Sequence, residues 1–359
     1  GLLPQEMLVP SGLIIPENLK GIIGNLNIDV KNEDIIKQTV KESFEEFLTD
    51  KNKIGLQNLI PQLKGKKVYI STNYSKNIQV LDPAKSSPEY SLAQRSIPIN
   101  IELVNDGKFM LVTSYQRPYI DVISIADSRY IKQIALGTNP DEIVIDDENK
   151  LAYITAPSAS VIIVLDLKTM SIRQKIRVNG YCEKLLIAGD KIFYVDKMKG
   201  AVWAIETNNN YTLKNIGKFP NASALMFAND KLYVASRTKS RLAIIDYNSL
   251  GLDSEFTVAN KPVSMLMNNG IIYLLSAQNN VIQCFDSNTG NMIKEIELVP
   301  NGFSSRMSRI YGTNFAVVAD VKTNSYSIID LNRGVLLKTY YVNIPLKDVK
   351  ITDSVSLFD

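Results

Sequence analysis

Residues 136 to 166 read LGTNPDEIVIDDENKLAYITAPSASVIIVLD. In order they hold a Gly-Thr-Asn-Pro connector, a short apolar run, a polar turn, a run centred on Ala-Tyr-Ile-Thr, a small-residue loop and a run ending in Asp166. Working outward in both directions, near-copies of this unit recur. Their most regular mark is an apolar pair usually followed by an acid: Val80-Leu81-Asp82, Val122-Ile123-Ser124, Val164-Leu165-Asp166, Ala204-Ile205-Glu206, Ile244-Ile245-Asp246, Cys284-Phe285-Asp286 and Ile328-Ile329-Asp330. Successive intervals are 42, 42, 40, 40, 40 and 44 residues, so there are seven copies. A second mark, twelve or thirteen residues earlier, keeps the same register: Tyr69, Leu111, Tyr153, Tyr194, Tyr233, Tyr273 and Val317. A fixed period of this length is the signature of a repeat architecture.

Each copy reads as four short strands. Asn105-Asp106-Gly107, Gly189-Asp190, Asn229-Asp230 and Asn269-Gly270 are suited to tight hairpins between the first two strands. The last strand alternates with period two, as in Ile172, Gln174, Ile176 and Val178 against Arg173, Lys175 and Arg177. Four-stranded units of this length arranged around an axis form a β-propeller, and seven copies predict an all-β, seven-bladed propeller of antiparallel blades. Residues 1–64 do not fit the repeat and are expected to form an N-terminal extension with an amphipathic helix near 33–49, where Ile36, Val40, Phe44, Phe47 and Leu48 share one face. The propeller is placed over 65–359. Its ring is expected to close through a C-terminal strand near 346–352 that joins blade one, because the competing run 59–63 carries Pro61 in its interior. The alternative fills that place with 59–63 and leaves the C-terminus as a tail.

Composition narrows the chemistry. The 359 residues are 45% hydrophobic and 21% charged, a globular balance, and 40 basic against 37 acidic residues give +3, too even to indicate nucleic acid. Histidine is absent, which excludes serine-histidine-acid catalysis and any imidazole-bound metal or haem. No cofactor is implied. Cys182 and Cys284 fall in different repeats and are expected as unpaired, buried thiols. No run of 18 apolar residues exists to span a membrane as a helix. The chain begins at Gly1 without methionine and is read as a trimmed or mature form whose signal peptide has been removed.

Residues 136–166, together with Val68-Tyr69-Ile70-Ser71-Thr72-Asn73 and the run Asn280 to Gly290, resemble the YVTN-type β-propeller repeat of bacterial and archaeal surface and secreted proteins. The resemblance covers about residues 66 to 353. It implies a binding or scaffolding role without a shared catalytic set, and a location outside the cytoplasm, in the periplasm, at the cell surface or secreted. Ser124 and Glu206 depart from the usual Asp, and the seventh copy lacks the tyrosine. Quinone-dependent propeller enzymes share the Asp-x-x-Thr-Gly turn of Asp286 to Gly290 but normally carry a tryptophan in each blade, whereas Trp203 is the only one here.

In such a fold the loops between second and third strands and the blade-to-blade connections share one face. The former carry Lys76, Arg117, Lys197, Lys199, Arg237, Lys239, Arg241 and Lys322 against Asp196 and Asp320, a local +6 that exceeds the charge of the whole chain. Tyr74, Tyr115 and Tyr119 accompany them, with Tyr181, Glu183 and Arg306 at the connections into blades four and seven. Arginine binds carboxylate or phosphate bidentately, and tyrosine adds planar contact with a hydroxyl. These twelve residues, Lys76 and Lys322 set aside, are the candidate ligand set for an acidic partner: a charged glycan, an envelope polymer or a protein. The competing reading is a solvated polar rim. A second alternative is a histidine-independent carbohydrate-active hydrolase or lyase using Asp141, Glu142, Glu183 and Asp348 at the channel mouth, which needs two carboxylates ~5 to 10 Å apart. A third is a structural surface-layer component. Asp146-Asp147-Glu148-Asn149 lacks the spacing and glycine of a calcium loop and reads as a turn.

Overall fold

In blade three the strands Ile143–Asp146, Leu151–Ala156, Val161–Asp166 and Ser171–Arg177 pair in sequence order. Each is antiparallel to the next. Every residue of Leu151–Ala156 is buried, because this strand has a partner on each edge and a neighbouring blade on each face. The outermost strand shows the exposed and covered alternation of a half-solvated edge. That contrast explains why the period-two pattern in the sequence falls on last strands such as this one.

The structure, a computed structural model, describes residues 8–9, 13–14 and 60–353 apart from 73, 86, 105 and 106. The chain divides into two compact units, Gly1–Gln57 and Asn58–Asp359. In the first, Leu8–Val9 pairs antiparallel with Leu13–Ile14. The helix expected near 33–49 lies outside the described residues. The second unit is a seven-bladed β-propeller of four-stranded antiparallel blades. From blade one to blade seven the innermost strands are Asp348–Asp353, Pro98–Val104, Ile143–Asp146, Cys182–Ala188, Ala222–Ala228, Pro262–Asn268 and Ser304–Arg309. Each touches the next, and the last returns to the first.

The sheet of blade one therefore combines both ends of the propeller: Asp348–Asp353 pairs antiparallel with Lys66–Ser71, placing Val349 opposite Ile70 and Ile351 opposite Val68. Pro61, which lacks an N–H for a sheet ladder, instead starts the short 3-10 turn Pro61–Leu63. Leu63 is fully buried between blades seven and one.

Apolar packing is divided among seven clusters, one at each blade-to-blade interface. The tyrosine mark belongs to these interfaces. Tyr69, Tyr153, Tyr194, Tyr233 and Tyr273 are all buried. Tyr273 also reaches across to blade seven, donating from its hydroxyl to the carbonyl of Leu331 at 2.6 Å.

The recurring acid is explained by the turn that follows it. Asp166 accepts hydrogen bonds from the backbone N–H groups of Lys168 and Thr169 and from the Thr169 hydroxyl. Asp246 does the same for Asn248 and Ser249, and Asp286 for Asn288 and Thr289. These bonds satisfy donors that the turn leaves without a ladder partner. Where Ser124 and Glu206 replace the acid, side chains close the turn instead: Ser124 bonds Asp127, and Glu206 accepts from Asn209 and Lys214. At the first hairpins, Asn229, Asp230, Asn269 and Gly270 all have positive φ, as the two-residue turn requires.

Candidate functional site

Because the strands of each blade alternate in direction, the second-to-third loops and the blade-to-blade connections emerge on one face. Among the described residues, two clefts open there. One, of about 230 Å³, lies between blades four and five and is lined by Glu183, Lys184, Lys197, Asn221 and Arg237 among others. The second, of about 550 Å³, lies between blades five and six, and Asn221 and Arg237 form the wall it shares with the first. The structure thus brings Glu183, Lys197 and Arg237 together, with Tyr181 beside them: the Lys197 ammonium stands 6.0 Å from the Tyr181 ring centroid. Tyr74, Tyr115, Arg117 and Tyr119 belong to blades one and two and line neither cleft. Tyr74 is the most exposed of these tyrosines, at 82%. Thr72 fixes its loop by accepting from the N–H groups of Tyr74 and Ser75.

The cations divide by what they touch. Lys197 donates to Glu183 at 2.5 Å, and that hydrogen bond raises its pKa. Arg241, the first residue of its strand, pairs with Glu255 on the adjacent outer strand. Lys76, Arg117, Lys199, Arg237, Lys239 and Lys322 are exposed, and none makes an ion pair with a described residue. Asp196 and Asp320, which the sequence counts against these charges, turn inward. Asp196 is 0% exposed and accepts from the N–H groups of Tyr181, Met198 and Lys199. Asp320 is 2% exposed and accepts from Lys322, Thr323 and the Thr323 hydroxyl. Gly180 leaves room for Asp196: a Cβ there would lie 2.1 Å from its Oδ2.

Arg306 stands apart from the other candidates. On the innermost strand of blade seven, it faces the bore and donates to Asn100 at 3.2 Å, Asp348 at 3.3 Å and Glu102 at 2.8 Å. Lys350 meets the same Glu102 through both carboxylate oxygens at 3.1 Å. Burial works against the arginine charge, but Asp348, Glu102 and Glu142 outweigh it and raise the pKa of the guanidinium. This cluster joins the innermost strands of blades seven, one and two, so Arg306 holds the clasp of the ring and is not part of the loop-face cation set.

The carboxylates at the channel mouth are largely engaged. Glu142 accepts from the backbone N–H of Leu185 at 3.0 Å and lies 3.9 Å from the Lys184 ammonium. Glu183 holds Lys197, and Asp348 holds Arg306. Among the described residues of this group Asp141 alone has no side-chain partner. Burial, reinforced by Glu142, raises its pKa. Burial likewise lowers that of Lys347. The described residues contain no group of three or more Cys, Asp or Glu side chains placed to hold a metal ion. Cys182 and Cys284 are free and buried, and burial pushes each thiol up to about 11.

Comparison with known proteins places the fold and stops there. No protein-family model matches the chain, and no curated protein matches it in sequence. Solved structures do. Dihydro-heme d1 dehydrogenase NirN in complex with DHE superposes with a TM-score of 0.59 at 13% identity, over 81% of this chain and 66% of that one. AztD from Citrobacter koseri gives 0.60 at 9%, over 81% and 98%. Virginiamycin B lyase from Staphylococcus aureus gives 0.60 at 14%, over 78% and 89%. What these proteins share with this chain is the propeller. One fold serving such different named roles is the ordinary condition of a superfold, and function must be argued from the site.

The sequence reading missed Lys261, Gln278 and Phe303, which line the larger cleft. Gln278 is an uncharged residue of a second-to-third loop and carries no mark in the sequence. Lys261 and Phe303 sit on blade-to-blade connections, and the face these share with the loops is the signal that points to them.

Proposed function

We propose that this propeller is a non-catalytic binding module that engages an acidic partner through its loop face, outside the cytoplasm. The observation that carries the reading is the asymmetry of charge pairing in the second-to-third loops of that face: six exposed cations make no ion pair with a described residue, while the two acids of those loops are buried in their own turns. An exposed cation with no partner keeps its full capacity for an incoming carboxylate, phosphate or sulfate. The resemblance to the YVTN-type repeat supports both the binding role and the location. Among the described residues, no helix is long and apolar enough to cross a membrane. The hydrolase reading is weaker because Glu142, Glu183 and Asp348 each have a cationic neighbour. That leaves Asp141 alone where two free carboxylates are needed.

Retention of the full chain on immobilised acidic and neutral polymers tests the proposal. Retention on the acidic ones alone, falling steeply as salt rises, is expected. Passage straight through both would end it.

A further inference from the structure

The larger cleft, between blades five and six, differs in kind from the rest of the loop face. Among the described residues two cations, Arg237 and Lys261, line it and no carboxylate does. Neither cation makes an ion pair with a described residue, and both are exposed. Gln278 adds an amide without a hydrogen-bond partner among the described residues, and Asn221 and Thr238 bond each other only loosely, at 3.3 Å. One wall is Phe303, 41% exposed. The volume, about 550 Å³, falls within the ~300 to 1,000 Å³ typical of small-ligand sites.

Phe303 is exposed, yet its backbone is held firmly. Asn280 donates to the carbonyl of Val299 at 2.7 Å and accepts from the N–H of Ser304 at 3.0 Å, gripping both ends of the connection. Between them Gly302 lies so close to Asp320 and Asn280 that a Cβ would meet them at 2.1 and 2.3 Å. An aromatic face presented on a fixed backbone loses little freedom when a ligand stacks on it. Lys261 has a φ of +54°, in the left-handed region, where the preceding repeat has Asn221 with a φ of +53°. Asparagine adopts that conformation more readily than lysine, so asparagine can replace Lys261 without added backbone strain.

We propose that this cleft seats one ring of an acidic saccharide: its carboxylate or sulfate lies between Arg237 and Lys261, its apolar face on Phe303, and its hydroxyls on Gln278, Asn221 and Thr238. This rests on the loop-face reading above and names the chemistry of its ligand. An acidic peptide would use the cations but has no comparable use for an aromatic wall set beside several hydroxyl-binding groups.

Binding of the full chain to labelled polygalacturonate and dextran sulfate, with neutral dextran and polyglutamate as controls, tests the assignment. Lys261→Asn and Phe303→Leu are each expected to weaken acidic-saccharide binding about tenfold or more. Lys261→Asn should also unfold at the same or a higher temperature than the parent, which separates lost binding from lost folding. Preference for polygalacturonate or for dextran sulfate identifies the charged group, and either supports the site. Equal binding of neutral dextran, or of polyglutamate with no effect of Phe303→Leu, overturns the saccharide assignment. If both variants bind as the parent while Arg117→Glu with Lys322→Glu weakens binding, the cleft is wrong and the wider loop-face reading stands. If no acidic probe binds the parent, both are wrong.

Discussion

Arg306 in the bore and Arg237 on the loop face have opposite surroundings. Arg306 has Glu102, Asp348 and Asn100 within hydrogen-bond distance, and its side chain is only 31% exposed. Arg237 is exposed, touches no described acid and borders both clefts. The first arginine joins strands from three blades at the point where the two ends of the propeller meet. The second leaves its charge unanswered. The same residue type therefore serves ring closure on one side and, on the present reading, ligand capture on the other. What distinguishes them is the carboxylates that the fold places nearby.

The comparison can be broken first at the clasp. Truncation after Lys347 removes the innermost strand of blade one, including buried Val349 and Ile351, and exposes the edge of Lys66–Ser71. Burying an aliphatic side chain contributes about 1.5 to 3 kcal/mol, and six ladder positions are lost as well, so a loss above about 5 kcal/mol is expected in urea unfolding. Retained stability would mean that the clasp does not hold the ring.

Arg306→Ala is the next largest. Removing one member of a buried ionic group costs about 3 to 5 kcal/mol, and the partial exposure of Arg306 argues for the lower end. Binding to acidic polymers should be unchanged. On the loop face the pattern inverts: Arg237→Ala with Lys239→Ala should change stability by less than about 0.5 kcal/mol each while binding falls. A stability loss here comparable to that of Arg306→Ala would erase the distinction between the two regions.

Smaller effects follow from titration. Burial raises the pKa of Asp141 above its ordinary value, so its ionisation disfavours the folded state as pH rises through the carboxylate range. Asp141→Asn is therefore expected to raise the melting temperature at pH 7 and leave it unchanged at pH 3. Asp246 shifts the other way: hydrogen bonds from Ser249 and then the Lys231 ion pair lower it to about 2. Its contribution is complete above the ordinary carboxylate pKa and disappears as pH falls toward about 2. Asp246→Asn should therefore lower the melting temperature slightly at pH 6, and less at pH 2.

Much of the fold was legible because its determinants are periodic. The tyrosines and apolar pairs that fill the interfaces, and the acids that close the turns, recur at fixed intervals since each repeat must solve the same packing problem. The site was less legible. Asp196 and Asp320 read as surface charge in the sequence, although Asp320-Val321-Lys322-Thr323 has the same Asp-x-x-Thr pattern as the turn at Asp166 to Thr169 and folds in the same way. Arg241 reads as a free cation, but the adjacent strand brings Glu255 against it. Arg306 reads as a loop-face group, but the pairing of distant strands encloses it in the bore. In each case the residue type was visible, and its direction and its partners depended on contacts remote in sequence.

The central claim is that unpaired loop-face cations capture an acidic partner. Elution of the parent and of a Lys199→Glu, Arg237→Glu, Lys239→Glu variant from an immobilised acidic polysaccharide, over a salt gradient, tests it most directly. Arg241 is left intact because reversing it would set a second acid against Glu255. The parent should elute late and the variant in the flow-through, with unchanged unfolding. Elution of both at the same salt concentration would contradict the account.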